Sequence, residues 1–213
     1  MSTSTPDAAT AVTNVRPATA ADVPRLAAAV ARGYQDDPVW SFLMPDERRR
    51  SEGLPRYFEI ELRHVVLPHG ATWTTDDLVG GTLCAPPGHW RLSPLTMLVR
   101  GPAFVRALGR DLPRLLGALS LIERRHPRED HYYVAYTGIE PESQGRGLGG
   151  ELVRPLLRRC DAEAVPAYLE ATSERAAAFY ERKGFAVTEE IRIRNGPPMW
   201  LMWREPRSGE VTP

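Results

Sequence analysis

Gln144-Gly145-Arg146-Gly147-Leu148-Gly149-Gly150 is a glycine run between a strand-like stretch, His131 to Glu140, and a helix-like one, Gly147 to about Glu163. A helix that starts here aims unpaired backbone N–H groups and the positive end of its dipole at one spot, and the glycines let a ligand come against the backbone. The chemistry offered is phosphate binding; the plainer alternative is a turn. A second grouping, Tyr34, Asp36, Asp37 and Trp40, joins carboxylates to aromatic faces, and both attract cations. Its plainer alternative is that the aspartates cap or solubilise a loop while Trp40 packs in the core. Cys84 and Cys160 each sit in an apolar pattern, without a disulfide framework or metal-ligand spacing. Buried thiols and no metal site are expected.

The elements that must position these groups follow from pattern. The chain has 213 residues, enough for a sizeable core, and its 27 Lys and Arg balance 27 Asp and Glu. That balance recommends neither a nucleic-acid nor a membrane partner. The N-terminal residues do not read as a secretory leader and no apolar run is long enough to span a bilayer, so a cytoplasmic protein is expected. Residues 1–14 read as a disordered tail, 15–206 as one domain and 207–213 as a C-terminal tail.

Within the domain, a short strand at Val15 to Ala18 precedes a helix that Asp22 would cap, with Leu26, Ala27, Val30, Ala31 and Tyr34 as its apolar stripe. Trp40, Phe42, Leu43 and Met44 read as an apolar connection to a second helix. Leu54-Pro55 should break or offset that helix before Tyr57, Phe58, Leu62, Val65 and Val66 resume the stripe. Ala71 to Thr75 and Leu78 to Ala85 read as an antiparallel hairpin, with Gly80 and Gly81 marking a bulge or a close approach. A helical insertion over 89–128, divided at Gly101-Pro102 and Gly109, ends in a solvated Glu123-Arg124-Arg125-His126. Next come the strand from His131 and the helix after the glycine run, which Pro155 should kink. A short parallel strand, Ala167 to Leu169, leads to a helix capped by Ser173 and stopped by Gly184, then to a hairpin turned at Asn195-Gly196. Its second strand, Met199 to Trp203, is apolar on both faces and should lie centrally. The hairpin's exposed edge would support a homodimer.

Two ligand classes fit the glycine run. Gly145, Gly147 and Gly150 satisfy the dinucleotide spacing G-x-G-x-x-G, and Glu170 stands about 20 residues on at a strand end, as that fingerprint requires. Against it, Glu140-Pro141-Glu142-Ser143-Gln144 separates the strand from the first glycine, and only one βαβ unit is followed by a helix and an antiparallel hairpin.

The arrangement resembles instead the GCN5-related N-acetyltransferase (GNAT) family. Gln144, Gly147 and Gly149 fit its Q/R-x-x-G-x-G/A pyrophosphate loop, and Tyr168-Leu169-Glu170 and Phe179-Tyr180-Glu181-Arg182-Lys183-Gly184-Phe185 match its later strand, helix and turn. Within the family, the half from His126-Pro127 to Met202-Trp203-Arg204-Glu205-Pro206 is most similar to puromycin N-acetyltransferase and its actinobacterial relatives. The resemblance implies an α/β (α+β) fold, a mixed and mostly antiparallel sheet splayed between its fourth and fifth strands with acetyl-CoA in the gap. Backbone N–H groups of Gln144, Gly145, Arg146, Gly147, Leu148, Gly149 and Gly150 would bind pyrophosphate, and the strand edge at Thr137, Gly138 and Ile139 would pair with pantetheine. One departure is Ala176, where relatives often carry Asn.

By the same resemblance, an N-acetyltransferase would let a small-molecule amine attack the thioester directly, with Tyr180 as general acid, since a phenol of pKa about 10 can protonate a thiolate of pKa about 8.5. Glu170 is the carboxylate best placed as base, and a structural hydrogen bond is its alternative; Tyr34 and Tyr133 could instead relay a proton through water. Tyr34, Asp37, Trp40 and Tyr133 would line the acceptor pocket. A non-catalytic acetyl-CoA-binding module of the same fold and, more distantly, a dinucleotide-dependent reductase stay open on the residues alone.

Overall fold

The computed structural model describes residues 14–91 and 94–207, so the expectations for the two tails lie almost wholly outside the described residues. Seven strands form one sheet: β1 (Val15–Pro17), β2 (Trp73–Thr75), β3 (Gly80–Ala85), β4 (Tyr132–Ile139), β5 (Ala167–Ala171), β6 (Ala186–Arg192) and β7 (Pro198–Arg204). Their order is β1-β2-β3-β4-β5-β7-β6. Every pair is antiparallel except β4 and β5. As expected, β7 is central, and the turn before it places Asn195 at φ 56°.

The parallel pair positions everything that follows. β4 and β5 are in register only at Tyr132↔Ala167 and Tyr133↔Tyr168, and beyond these residues they diverge. This is the expected splay between the fourth and fifth strands.

A second irregularity lies on the other side of β4. Adjacent Leu83 and Cys84 of β3 pair with Tyr136 and Val134, so Ala135 is an extra residue, a β-bulge. The bulge shifts the side-chain phase. Tyr133, Ala135 and Tyr136 pack towards one face of the sheet, while Tyr132 and Val134 pack towards the other. The Gly80 and Gly81 expectation resolves as close approach, since a Cβ on Gly80 would lie 2.6 Å from the Gly138 carbonyl oxygen.

The first face is covered by α1 (Val23–Gly33), α2 (Pro38–Leu43), α3 (Glu47–Glu61), α4 (Pro94–Leu108) and α5 (Leu112–Arg125), and the second by α6 (Leu148–Glu163) and α7 (Glu174–Glu181). Gly33 lets the end of α1 press on β4, because a Cβ there would sit 2.6 Å from the Ile139 carbonyl oxygen. That contact carries Tyr34 to the splay.

Several local expectations are corrected. Asp22 does not cap α1: its carboxylate accepts from the Arg16 guanidinium at 2.8 and 2.9 Å and from Thr19, and these donors hold its pKa well below the usual range. Pro55 does not break α3, which runs from Glu47 to Glu61 and continues into a wider i→i+5 turn over Leu62–Val66. Packing of Leu54, Tyr57 and Phe58 in the core outweighs the one backbone bond that proline removes. Gly101-Pro102 likewise lie inside an uninterrupted α4, and only Gly109, at φ 53°, separates it from α5. The stretch read as a connection at Trp40 to Leu43 is α2, and His126, read as solvated, is buried.

Candidate active site

The divergence of β4 and β5 opens a cleft of about 690 Å³. Its sides are Val134 to Ile139 of β4 and Leu169 to Ser173 at the end of β5; its ends are the glycine run and α7. A 3-10 turn, Pro141–Ser143, separates β4 from the run, and the Gln144 side chain donates to the Ile139 carbonyl at 3.0 Å, fastening the loop to the strand. Gly145 and Gly147 take φ 78° and 80°, left-handed values that L side chains adopt at a cost, and no atom lies within 4 Å of a Cβ built on either. Gly147 is the N-cap of α6, so the Leu148 and Gly149 N–H groups at the start of a 16-residue helix have no backbone acceptor and lie at the cleft, while the Gly150 N–H donates to the Gly147 carbonyl at 2.9 Å. Of the residues assigned to this loop, Gln144, Gly145, Gly147, Leu148, Gly149 and Gly150 line the cleft; Arg146 is exposed and does not.

Tyr180 enters from α7, whose start is fixed by Ser173 accepting from the Ala176 N–H at 3.2 Å. Its ring is 7% exposed and lines the cleft. Burial pushes its pKa up and the neighbouring Thr137 hydroxyl pulls it back only in part, so the phenol keeps its proton at neutral pH. The Ala176 methyl also lines the cleft, with Arg175 and Arg182 as cationic neighbours that sequence reasoning missed.

Tyr34 occupies a place assigned to a ligand. The Thr137 N–H points into the gap and donates to the Tyr34 hydroxyl at 3.2 Å, so that part of the β4 edge already has a partner. Asp37 lines the cleft as assigned and also caps a helix, whereas Trp40 follows the plainer reading. Asp37 caps α2, accepting from the Val39 and Trp40 N–H groups, while its other oxygen accepts from the Thr172 hydroxyl. Trp40 is 4% exposed, packs edge-on to Tyr57 and Phe58, and is not among the residues lining the cleft. A six-residue helix capped at Asp37 turns the indole into the core instead of the cleft.

Glu170 sits just past the last β4–β5 pair, inside a buried polar network. Its Oε2 accepts from Tyr133 at 2.8 Å, and its Oε1 lies 3.8 Å from His126 Nδ1. His126 is stacked on Trp90 and bonded through Nε2 to His131 Nε2 at 3.0 Å, while His131 Nδ1 meets the Glu129 carbonyl at 2.6 Å. That carbonyl can only accept, so His131 carries its proton on Nδ1 and accepts through Nε2. His126 is therefore the donor on Nε2. His126 Nδ1 and Glu170 Oε1 are both buried without a hydrogen-bond partner.

A second cavity, about 460 Å³, lies on the first face between α3, the α4–α5 pair and β4. It shares Ala135 and Tyr136 with the cleft, and Tyr133 also lines it. At its floor is Glu61, 8% exposed and pushed up to about 7 by burial. Sequence reasoning missed Glu61, although a signal was present: it stands four residues after Tyr57 and four before Val65, a carboxylate on an apolar stripe.

The Acetyltransferase (GNAT) family profile matches residues 32–185. An uncharacterised N-acetyltransferase of Schizosaccharomyces pombe is 27% identical over 209 residues, covering 89% of this chain and 82% of that one. Among solved structures, the histone acetyltransferase HPA2 and related acetyltransferase from Corynebacterium glutamicum is 26% identical with a TM-score of 0.71, over 93% of this chain and 99% of that one. Arylalkylamine N-acetyltransferase 2 from Aedes aegypti shares the fold at 10% identity, with a TM-score of 0.68 over 92% of this chain and 100% of that one. Splayed sheet, glycine loop and relatives agree: the chain belongs to the acetyltransferase (GNAT) family.

Proposed function

We propose that this chain is an acetyl-CoA-dependent N-acetyltransferase acting on the amine of a small molecule. The observation that carries the reading is the cleft between the diverging strands, bounded at one end by left-handed, unobstructed glycines at a helix N-terminus and reached by a buried, protonated Tyr180.

The residues fit the donor. The N–H groups from Gly145 to Gly150 would hold its pyrophosphate, with Arg182 and Arg175 nearby, and the free edge of β4 beyond Thr137 would pair with its amide arm. Bound acetyl-CoA supplies an activated acyl carbonyl and a thiolate leaving group. The chain's own contribution is positioning and proton handling. Tyr180 holds a proton at its Oη for the departing sulfur, and the bulge at Ala135 turns backbone N–H groups out of the β3 ladder, where one can polarise a carbonyl. Glu170 and Tyr133 form a buried proton-handling pair beside the gap.

A non-catalytic acetyl-CoA-binding module is favoured only by Ala176, whose methyl offers no hydrogen bond to the amide arm. Calorimetric titration with acetyl-CoA, followed by free-thiol release against puromycin, aminoglycosides, polyamines, amino acids and arylalkylamines, separates the two. The enzyme reading expects amine-dependent release that falls about 10²-fold or more in Tyr180→Phe with acetyl-CoA affinity retained. Binding with no release across the panel supports the module; no binding overturns both.

No helix among the described residues is long and apolar enough to cross a membrane. A homodimer through the outer edge of β6 belongs to the same proposal. Light scattering on wild type and on Val187→Lys tests it, with a monomeric wild type refuting it.

A further inference from the structure

The cavity over Glu61 has a composition that selects its occupant. Val65, Phe104, Leu112, Leu115, Leu119 and Ile122 make its walls apolar, and its size falls within the range that seats one small molecule. The titratable groups beside Glu61 are the hydroxyls of Tyr57 on α3 and Tyr136 on β4. Arg91 and Glu123, further out on the lining, pair with each other at 3.1 Å. No cation among the described residues compensates Glu61, whose charge is opposed by burial and supported only by Tyr57.

An unpaired carboxylate in such surroundings is stable only when it gains a proton or a cation. A neutral apolar ligand would leave it uncompensated, and a polycation would strand its second charge against leucines. A monocation on an apolar body satisfies both surfaces. Val105, Leu116 and Leu119 also line this cavity and are exposed, so such a body would cover apolar surface now in water.

Resting on the N-acetyltransferase reading, we propose that this cavity holds the apolar body of the acceptor, a primary amine with one aromatic or branched aliphatic group and a single charge, whose ammonium proton passes to Glu61. The hydroxyls already form the route. Tyr136 and Tyr57 are hydrogen-bonded at 2.7 Å, either hydroxyl being able to donate, and Tyr57 and Glu61 lie one helical turn apart on α3 and line the same cavity. With each O–H donating towards Glu61, an ammonium at Tyr136, on the wall shared with the cleft, can give its proton to the Tyr136 oxygen. One proton then shifts along each link. R–NH3+ and a carboxylate become R–NH2 and a carboxylic acid, only O–H and N–H bonds break or form, and the amine lone pair is freed beside the cleft.

The test is calorimetry of the full chain without acetyl-CoA, using 2-phenylethylamine, its neutral analogue 2-phenylethanol, and spermidine. The amine should bind at least about tenfold more tightly than either control, the size expected of a charge-assisted bond. Glu61→Gln should abolish the preference over the alcohol. Leu119→Arg, at an exposed wall position, should block the amine while leaving acetyl-CoA binding intact, which covers the case of a misfolded Glu61→Gln protein. In turnover, kcat/KM for 2-phenylethylamine should rise through about pH 7 in wild type, and that limb should vanish in Glu61→Gln. Preference for spermidine, or indifference to both variants, overturns the proposal. Amine binding without any acetyl-CoA binding would instead refute the transfer reading, and with it the acceptor role, while leaving the cavity's selectivity measured.

Discussion

Removing the Glu61 carboxylate should stabilise the protein, and by an amount that depends on pH. In the folded chain burial raises Glu61 from 4.5 to about 7, so between those values the folded state holds a proton that the unfolded state has released. Folding there requires proton uptake, and stability falls as pH rises, with a slope that vanishes below about 4.5 and above about 7. At about 1.4 kcal/mol per unit, the interval integrates to about 3 kcal/mol of destabilisation carried by wild type at pH 8 and absent at pH 4.5. Glu61→Gln keeps the shape and an oxygen beside Tyr57 but does not titrate. The assay is urea unfolding of both proteins at half-unit steps from pH 4.5 to 8.5, read by tryptophan fluorescence. All other groups are common to the pair, so the difference in unfolding free energy isolates Glu61. It should grow across the window in favour of Glu61→Gln and then level off, and the melting temperatures should separate by roughly 2–4 °C per kcal/mol. A pH-independent difference would refute the reasoning, because it would mean that Glu61 is solvated or already charge-paired.

Other consequences concern the cleft. Gly147→Ala meets no neighbouring atom but must hold φ near 80°, so it should cost about 1–2 kcal/mol in melting experiments and weaken acetyl-CoA binding, whereas unchanged affinity would mean the loop does not hold phosphate. Tyr34→Phe removes the acceptor of the Thr137 N–H; stability should fall by about 1 kcal/mol, and acetyl-CoA affinity should be retained because the ligand can take that N–H over. A tenfold weaker affinity would place the Tyr34 hydroxyl in the binding machinery. Asp37→Ala should lose about 1–2 kcal/mol as a lost helix cap and leave the acceptor KM unchanged, while a raised KM would restore the carboxylate to the acceptor site.

What the sequence made legible was local in origin. The glycine run, the Ser173 cap, the Asn195-Gly196 turn and the apolar β7 each depend on residues within a few positions of one another, and each appears where expected. The errors share a different origin. Asp22 finds Arg16 as a partner stronger than a helix terminus, and Pro55 stays helical because its neighbours are buried. Trp40 was assigned to a pocket on composition, while its orientation depends on how α2 meets Tyr57 and Phe58. Glu61 had a readable signal, but its meaning required the facing wall of α4 and α5. The bulge at Ala135 had none, since an extra residue is defined only against the strand opposite it.

That bulge is an addition to β4 that the strand's two-sidedness does not need. With Ala135 present, Tyr136 faces the cavity over Glu61 while Thr137 turns to Tyr180. Deleting the single alanine would leave Tyr133 and Tyr136 on one face and Val134 and Thr137 on the other, in strict alternation, so no side chain would change sides. What the deletion would remove is the local bend and extra twist that a bulge gives its strand, and the residue that has no partner on β3. The walls of the cleft and of the cavity would keep their residues and lose their angle to one another.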